Sequence, residues 1–482
     1  MKKILFVLVI IIPFLCVAQK QANIWYFANH AGLDFNSCTP VALTNGKNPG
    51  LEGSSTICDT LGQLLFYTNS DTVWNKNHVA MSNGNLVASN GTISQVLIIP
   101  QPSSQNIFYI ITSQIQGQGT LTLQYHTINM SLNSGLGGVV NKNNTITTTT
   151  ITEQMAATYH HNGVDIWFVV HEYNGSNNFL SYLVTSSGIS SSPVVSSVGP
   201  NILPCSSGFN ARGELQFSPN GQKIAFNNNG IGTNLNSDYL CLFDFDNNTG
   251  IISNSINLPY ERGGYGLSFS PDNTKLYCAT WKAFSFSTTD SNKVYQFDIS
   301  SNDSLIISST KTILYSIPIT AYAFGTLTLG PDGKVYVAQS NSNYLGVINS
   351  PNVGGTGCNF NSNGIYLGGQ TMGEGLNNYI LYQNYCTTMG IEQVKANSSY
   401  LLAYPNPFAE GVTIKYFVPE GTSNAQILFY DALGRQIKTV DIITKGAGSL
   451  NVYANDLTNG IYSYTLVIDG RIIDTKKMVK QQ

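Results

Sequence analysis

The chain has 482 residues and a formal charge of -3, and only 10% of its residues are charged. No basic cluster stands out before the C-terminal segment, which argues against a nucleic-acid partner. With 42% hydrophobic residues, this length suits two or three domains, or one large repeat fold followed by a small domain.

The N-terminus reads as a secretory signal. Lys2 and Lys3 precede an apolar run from Ile4 to Leu15, and Cys16-Val17-Ala18 offers small residues for cleavage between Ala18 and Gln19. The run is shorter than the ~20 residues a membrane-spanning helix needs, and no second long apolar stretch follows. The mature chain is therefore expected to carry no transmembrane segment. A lipid anchor on Cys16 is opposed by the bulky Phe14 and Leu15 before it. Past the signal lie Cys38, Cys58, Cys205, Cys241, Cys278, Cys358 and Cys386. An odd number leaves at least one unpaired within a monomer. The absence of a C-x-x-C pair argues against a zinc or redox motif. Cys358 and Cys386 are candidates to staple the end of the large domain.

From residue 54 onward one pattern repeats: an apolar strand, a turn, then a second strand rich in aromatics. It starts at Ser54, Gln95, Ala156, Glu214, Gly266 and Gly325. The last three copies carry Pro219-Asn220-Gly221, Pro271-Asp272-Asn273 and Pro331-Asp332-Gly333. Proline presets the first turn angle, and Asn, Asp or Gly tolerates the left-handed position after it. Alternation with period two is common and no long helical pattern appears. A repeat of about 40 to 60 residues with four strands per unit predicts an all-β fold, a β-propeller. These turns resemble those of TolB-like and WD-type propeller repeats. Six copies give six blades. A seventh is expected from the segment at Gly375 together with the one at Asn23, so that both ends close the ring and leave no open edge. Residues 19–386 are assigned to this propeller.

Residues 387–400 read as a polar linker. The segment 401–482 alternates strands and turn residues, as in a small Ig-like β-sandwich. It contains Tyr404-Pro405-Asn406-Pro407-Phe408, Gly411, Tyr430-Asp431 with Gly434-Arg435, Leu457 with Gly460-Ile461-Tyr462, and a final Lys476-Lys477-Met478-Val479. These residues, in this order at the C-terminus, resemble the type A C-terminal sorting domain of the type IX secretion system of Bacteroidetes. The resemblance implies passage through the periplasm, contact with the type IX machinery, removal of the sorting domain near residues 387–400, and a final place at the outer cell surface or outside the cell. The N-terminal segments also resemble the propeller ectodomains of secreted flavobacterial proteins, a likeness that carries fold and location but no activity.

Chemistry-bearing motifs are sparse, and no catalytic or metal-ligating residue is assigned. His160, His161 and His171 share one hairpin, but an Asn162-Gly163 turn pairs 160 with 165 and sets His171 opposite Gln154, far from His160. Asp244-Phe245-Asp246-Asn247-Asn248-Thr249-Gly250 departs from a calcium loop, with Gly at the seventh position and Ser255 where the bidentate Glu belongs. No cofactor is therefore expected, with calcium at this loop the one weak candidate. The stretch from Ser270 to Thr274 lacks the Gly of a sialidase Asp-box, and no G-x-S-x-G elbow occurs. Trp25, Trp74, Trp167 and Trp281 could stack on sugar rings or pack between blades. Asp59-Thr60-Leu61, Asp71-Thr72-Val73 and Asp303-Ser304-Leu305 resemble the sequon of the general O-glycosylation system of Bacteroidetes, which would modify Thr60, Thr72 and Ser304. These features favour an exported propeller that binds a glycan or a surface protein. The alternative is a polysaccharide hydrolase or lyase working at the mouth of the channel. A purely structural surface role is a third reading.

Overall fold

A computed structural model describes residues 20–86, 95–116, 120–173, 175–203, 212–229, 239–259, 263–282, 290–381, 401–418, 422–432, 434–443, 445–453, 457–469 and 471–481. The chain divides into two compact units, residues 1–388 and 389–482.

The first unit is a seven-bladed β-propeller. Blade 1 contains Ser55–Cys58, Leu64–Thr68, Thr72–Asn75 and Ala80–Asn85. Blade 2 starts at Val96–Pro100 and blade 3 ends at Val194–Ile202. One 22-residue strand, Gly138–Tyr159, serves both. Its first part pairs with Thr120–Asn129 as the outermost strand of blade 2, and its last part pairs with Ile166–Glu172 as the innermost strand of blade 3. A parallel pair between Gly138 and Ser82 adds blade 1, so three blades form one twelve-stranded sheet. Blades 4, 5 and 6 are separate four-stranded sheets that begin with Leu215–Phe217, Gly264–Phe269 and Phe324–Leu329. Blade 7 is the three-stranded sheet Ile24–Tyr26, Gly32–Asp34 and Val41–Leu43.

The packing explains the strand character. Gly264–Phe269 and Phe324–Leu329 are buried at every position, because an inner strand has a neighbouring blade on both faces. Outer strands such as Thr312–Pro318 alternate between partly buried and exposed residues. Separate apolar clusters fill the blade boundaries. Phe66 meets Phe108 between blades 1 and 2, Phe179 meets Phe243 between 3 and 4, and Trp25 meets Tyr336 between 7 and 6. Tyr26, Tyr67 and Trp74 close the boundary of blades 7 and 1. Each aromatic pair adds about 0.5–1.5 kcal/mol beyond its area burial.

The expected pooling of both ends in blade 7 holds in a modified form. Residues 374–378 fill the innermost slot between blades 6 and 1 without hydrogen-bonding to Ile24–Tyr26 as a strand. Thr326 N donates to Glu374 O at 2.8 Å, Leu376 N donates to Thr326 Oγ1 at 2.7 Å, and Asn377 makes one parallel bridge with Ser54. Backbone meets backbone here: a Cβ on Gly375 would lie 2.6 Å from Glu52 O, and one on Gly325 would strike the Glu374 carbonyl. The segment then crosses the channel. Asn378 Nδ2 donates to Met155 O at 3.2 Å on blade 3, the Tyr379 hydroxyl donates to Leu329 O on blade 6, and Ile380 joins the core of blades 2 and 3. Residues 382–385 of the expected seventh blade lie outside the described residues.

The second unit is a seven-stranded Ig-like sandwich. Leu401–Tyr404, Gly411–Val418 and Gly446–Tyr453 form one sheet. Gln436–Asp441, Ala425–Tyr430, Gly460–Ile468 and Arg471–Lys480 form the other. Alternate residues face inward, among them Val412, Ile414, Ile427, Phe429, Tyr464 and Leu466.

Candidate functional site

The inner strands of the blades begin on one face of the propeller, and charged side chains collect at the channel mouth there. Glu52 precedes blade 1, Glu153 enters blade 3, Arg212 and Glu214 enter blade 4, and Glu374 starts the closing segment. Tyr265 and Trp281 of blade 5 complete the group. Glu153 and Glu214 are almost wholly buried, and Arg212 is 9% exposed.

Each carboxyl has a local reason to be there. Glu214 ties three blades together: its Oε2 accepts Leu267 N at 2.5 Å from blade 5 and Leu327 N at 3.4 Å from blade 6, and its Oε1 accepts Gln216 Nε2 at 2.9 Å. Glu153 Oε1 accepts Gly213 N at 3.1 Å, a bond from blade 3 to blade 4. Glu374 Oε1 accepts Trp281 Nε1 at 3.0 Å, and the side chains of Glu52 and Glu374 are hydrogen-bonded to each other. Arg212 lies over the Trp281 ring at 6.0 Å, within cation–π range. Burial, and then the charges of Glu153 and Glu374, push the Glu52 carboxyl well above its ordinary range, so it donates to Glu374. Burial pushes Glu214 up to about 8 against its hydrogen bonds, and raises Glu153 against the pull of Arg212. Tyr265 is raised by burial and by the same carboxylates.

Behind this mouth the channel is filled by residues 374–381. A void of about 20 Å3 remains beside Glu52, Glu214, Gln95 and Asn377, room for about one water. Glycoside hydrolysis needs carboxyls about 5–5.5 Å or 6.5–9.5 Å apart. Glu52 and Glu374 touch, which leaves no space between them for a glycosidic oxygen.

The histidines are elsewhere. Tyr159 pairs with Ile166 and His160 N donates to Asp165 O, as the Asn162-Gly163 turn requires. His171 is buried between Phe179 and Phe226, His160 rests on Trp167, and His161 is exposed. Burial pulls His126 and His171 down to about 4, so both are neutral at pH 7. In the loop from Asp244, Asp244 Oδ1 accepts Lys223 Nζ at 2.9 Å and its Oδ2 accepts Asn254 Nδ2 at 2.7 Å. Asp246 accepts Asn248 N and Thr249 Oγ1. Among the described residues no group of three or more His, Cys, Asp or Glu is arranged to hold a metal ion.

All four tryptophans are buried, so they serve packing and not an exposed sugar platform. Thr60 is exposed in the turn after Cys58, and Ser304 is exposed at the first position of the helix Ser304–Ser309, which Asp303 caps. Thr72 lies within a strand and Val73 is fully buried. The proposed Cys358 staple does not form: Cys358 is a free thiol in the core between blades 5 and 6, beside Tyr277. Cys38 is disulfide-bonded. Ala18, Gln19, Cys386 and the linker lie outside the described residues.

In the sandwich, the Pro405-Asn406-Pro407 turn is pinned to the last strand. Asn406 Oδ1 accepts Val479 N at 2.8 Å and its Nδ2 donates to Lys477 O at 2.9 Å. Gly434 turns with φ 78°, and Arg435 Nε donates to Asp431 Oδ2 at 2.7 Å. Gly411 pairs with Tyr453 at a strand start, Gly460 opens its strand, and Tyr462 Oη donates to Thr458 O at 2.8 Å.

Residues 402–481 match the family model described as "Secretion system C-terminal sorting domain". This sorting domain indicates export to the cell surface or secretion. Among the described residues no helix is long and apolar enough to cross a membrane. No curated protein matches the chain. Similar solved structures include hydrazine synthase of Kuenenia stuttgartiensis, with 8% identity over 70% of this chain and 79% of that one, at a TM-score of 0.34. A puromycin hydrolase shares 7% identity over 84% and 60%, at 0.36. The exo-beta-1,3-galactanase of Phanerochaete chrysosporium shares 10% over 83% and 98%, at 0.33.

Proposed function

We propose that the chain is an exported binding protein, a propeller that holds a glycan or a surface protein and performs no bond cleavage. The observation that carries this reading is the channel: its own segment 374–381 fills it, and Glu153, Glu214 and Glu374 each accept a cross-blade hydrogen bond at its mouth, while Glu52 Oε2 and Glu153 Oε2 are buried without a partner. The signal is cut after Ala18, which leaves Gln19 as the new N-terminus. The type IX machinery recognises the sorting domain carrying the motif Pro405, Asn406, Pro407, Gly411, Gly434, Arg435, Gly460 and Tyr462, the last of which packs in its core, and the sorting domain is removed within 387–400. No metal or cofactor takes part.

The hydrolase reading has one observation on its side, the gathering of Glu52, Glu153, Glu214 and Glu374 at one mouth. Among the described residues it lacks a histidine there and an open cavity, and the contacting pair Glu52 and Glu374 has no workable spacing. The test is retention of the secreted chain on beads bearing polysaccharides or cell-surface proteins. Retention supports binding; loss of the chain from every bead type sinks this reading.

A further inference from the structure

On the opposite face of the propeller, blade 4 carries a cleft of about 380 Å3, within the ~300–1,000 Å3 range of small-molecule sites. Its walls are two turns of blade 4 and one of blade 5. The inner turn of blade 4 supplies Asn220 and Gln222, its outer turn supplies Asp246 and Asn247, and the inner turn of blade 5 supplies Asn273.

Both neighbouring blades hold these walls in place. From blade 5, Asn273 Oδ1 accepts Asn220 N at 2.9 Å. From blade 3, Trp167 Nε1 and His161 N both donate to Asn247 O, at 2.9 and 3.0 Å. Lys223 at the base is already satisfied by Asp244 and by Asn302 Oδ1 at 3.1 Å. The site is therefore preorganised before any ligand arrives.

What remains unused is specific. The side-chain amide of Asn247, the amino group of Asn273 and the amino group of Gln222 have no partner among the described residues. They are neutral donors, and Asn247 adds a neutral acceptor. Lys223, the one cation of the described lining, is paired with Asp244, so an anionic ligand gains nothing from it, and Asp246 repels such a ligand. Phe245, the one aromatic residue of the described lining, is buried. Planar amides around a wet hollow that carries the Asp246 carboxylate and whose Lys223 is already paired suit a ring bearing several hydroxyls and no negative charge.

We infer that this cleft binds a neutral saccharide unit, through Asn247, Asn273 and Gln222. The inference rests on the binding reading and names its ligand class and its place. Asn273→Asp keeps the acceptor for Asn220 N and removes only the donor. Asn247→Ala removes a side chain that holds nothing else.

The experiment measures affinity of the secreted chain for a panel of neutral disaccharides built from glucose, galactose, mannose and N-acetylglucosamine, with a uronic-acid disaccharide as control, by calorimetry and ligand-observed NMR. The expected result is binding of at least one neutral member, at least tenfold weaker in each variant, with the acidic control at least tenfold weaker than its neutral analogue. Unchanged circular dichroism and melting temperature show that each variant is folded. Binding that the variants leave unchanged overturns the cleft while the wider binding reading stands. Binding of none of the panel overturns the cleft, and the bead assay above then decides the wider reading alone.

Discussion

Glu214→Gln isolates the most heavily used carboxyl at the mouth. The folded carboxyl titrates near 8, because burial outweighs its hydrogen bonds to Leu267, Gln216 and Leu327. Unfolded, it titrates near its ordinary value of about 4.3. A raised carboxyl contributes stability that is fully present below the unfolded value and is lost as pH rises through the folded one. At about 1.4 kcal/mol per pH unit, up to about 5 kcal/mol disappears between pH 4.5 and 8. The glutamine is nearly isosteric. Its oxygen still accepts from Leu267 N and Leu327 N, and Gln216 turns its own amide to accept from the new amino group. At pH 5 the variant should therefore stay within about 1 kcal/mol of the parent. By pH 9 it should be the more stable by several kcal/mol. Urea unfolding followed by tryptophan fluorescence reads the propeller alone, because Trp25, Trp74, Trp167 and Trp281 all lie in that unit. Parallel loss of stability in parent and variant from pH 5 to 9 would refute the reasoning.

The free thiols of Cys58, Cys241, Cys278 and Cys358 are buried, and burial pushes Cys58 and Cys241 up to about 12, so a thiol reagent should label none of the four in the native protein and all four in denaturant. Labelling of any of them under native conditions would contradict the packing. Peptide mass spectrometry of protein from its native host should find added sugar at Thr60 and Ser304 and none at Thr72, whose strand and buried neighbour block access; sugar on Thr72 would count against the structural argument. Asn406→Ala removes two bonds to the last strand and should cost the sandwich about 1–2 kcal/mol, measured by denaturation of the sorting domain. Removing residues 401–482 should hold the propeller in the periplasm, and its arrival at the surface in fractionation would undo the export claim.

The hairpins were legible because their chemistry is local. Gly221 N donates to Ser218 O, Asn273 N to Ser270 O, and Gly333 N to Gly330 O, which are the turns that Pro-Asn-Gly, Pro-Asp-Asn and Pro-Asp-Gly specify. All six repeats are inner hairpins of blades. The sorting-domain turns were legible for the same reason. The shared strand Gly138–Tyr159 was not, because nothing in its run of threonines marks where one blade hands over to the next. The mouth was also hidden, since Glu52, Glu153, Glu214 and Glu374 meet only after the ring closes. A usable signal existed. In a chain with 26 acidic residues, three glutamates fall just before or at the start of an inner strand. The crossing of the channel by 378–381 had no signature, because its apolar residues read equally well as a strand.

The central claim, binding without cleavage, is tested most directly by the length of the polysaccharide after contact. The secreted chain is incubated with each retained polysaccharide for a day, and the products are sized by chromatography and mass spectrometry. The account predicts chains of unchanged length. Shortened chains, with shortening abolished by Glu52→Gln or Glu374→Gln, would contradict it and make the carboxyls at the mouth catalytic.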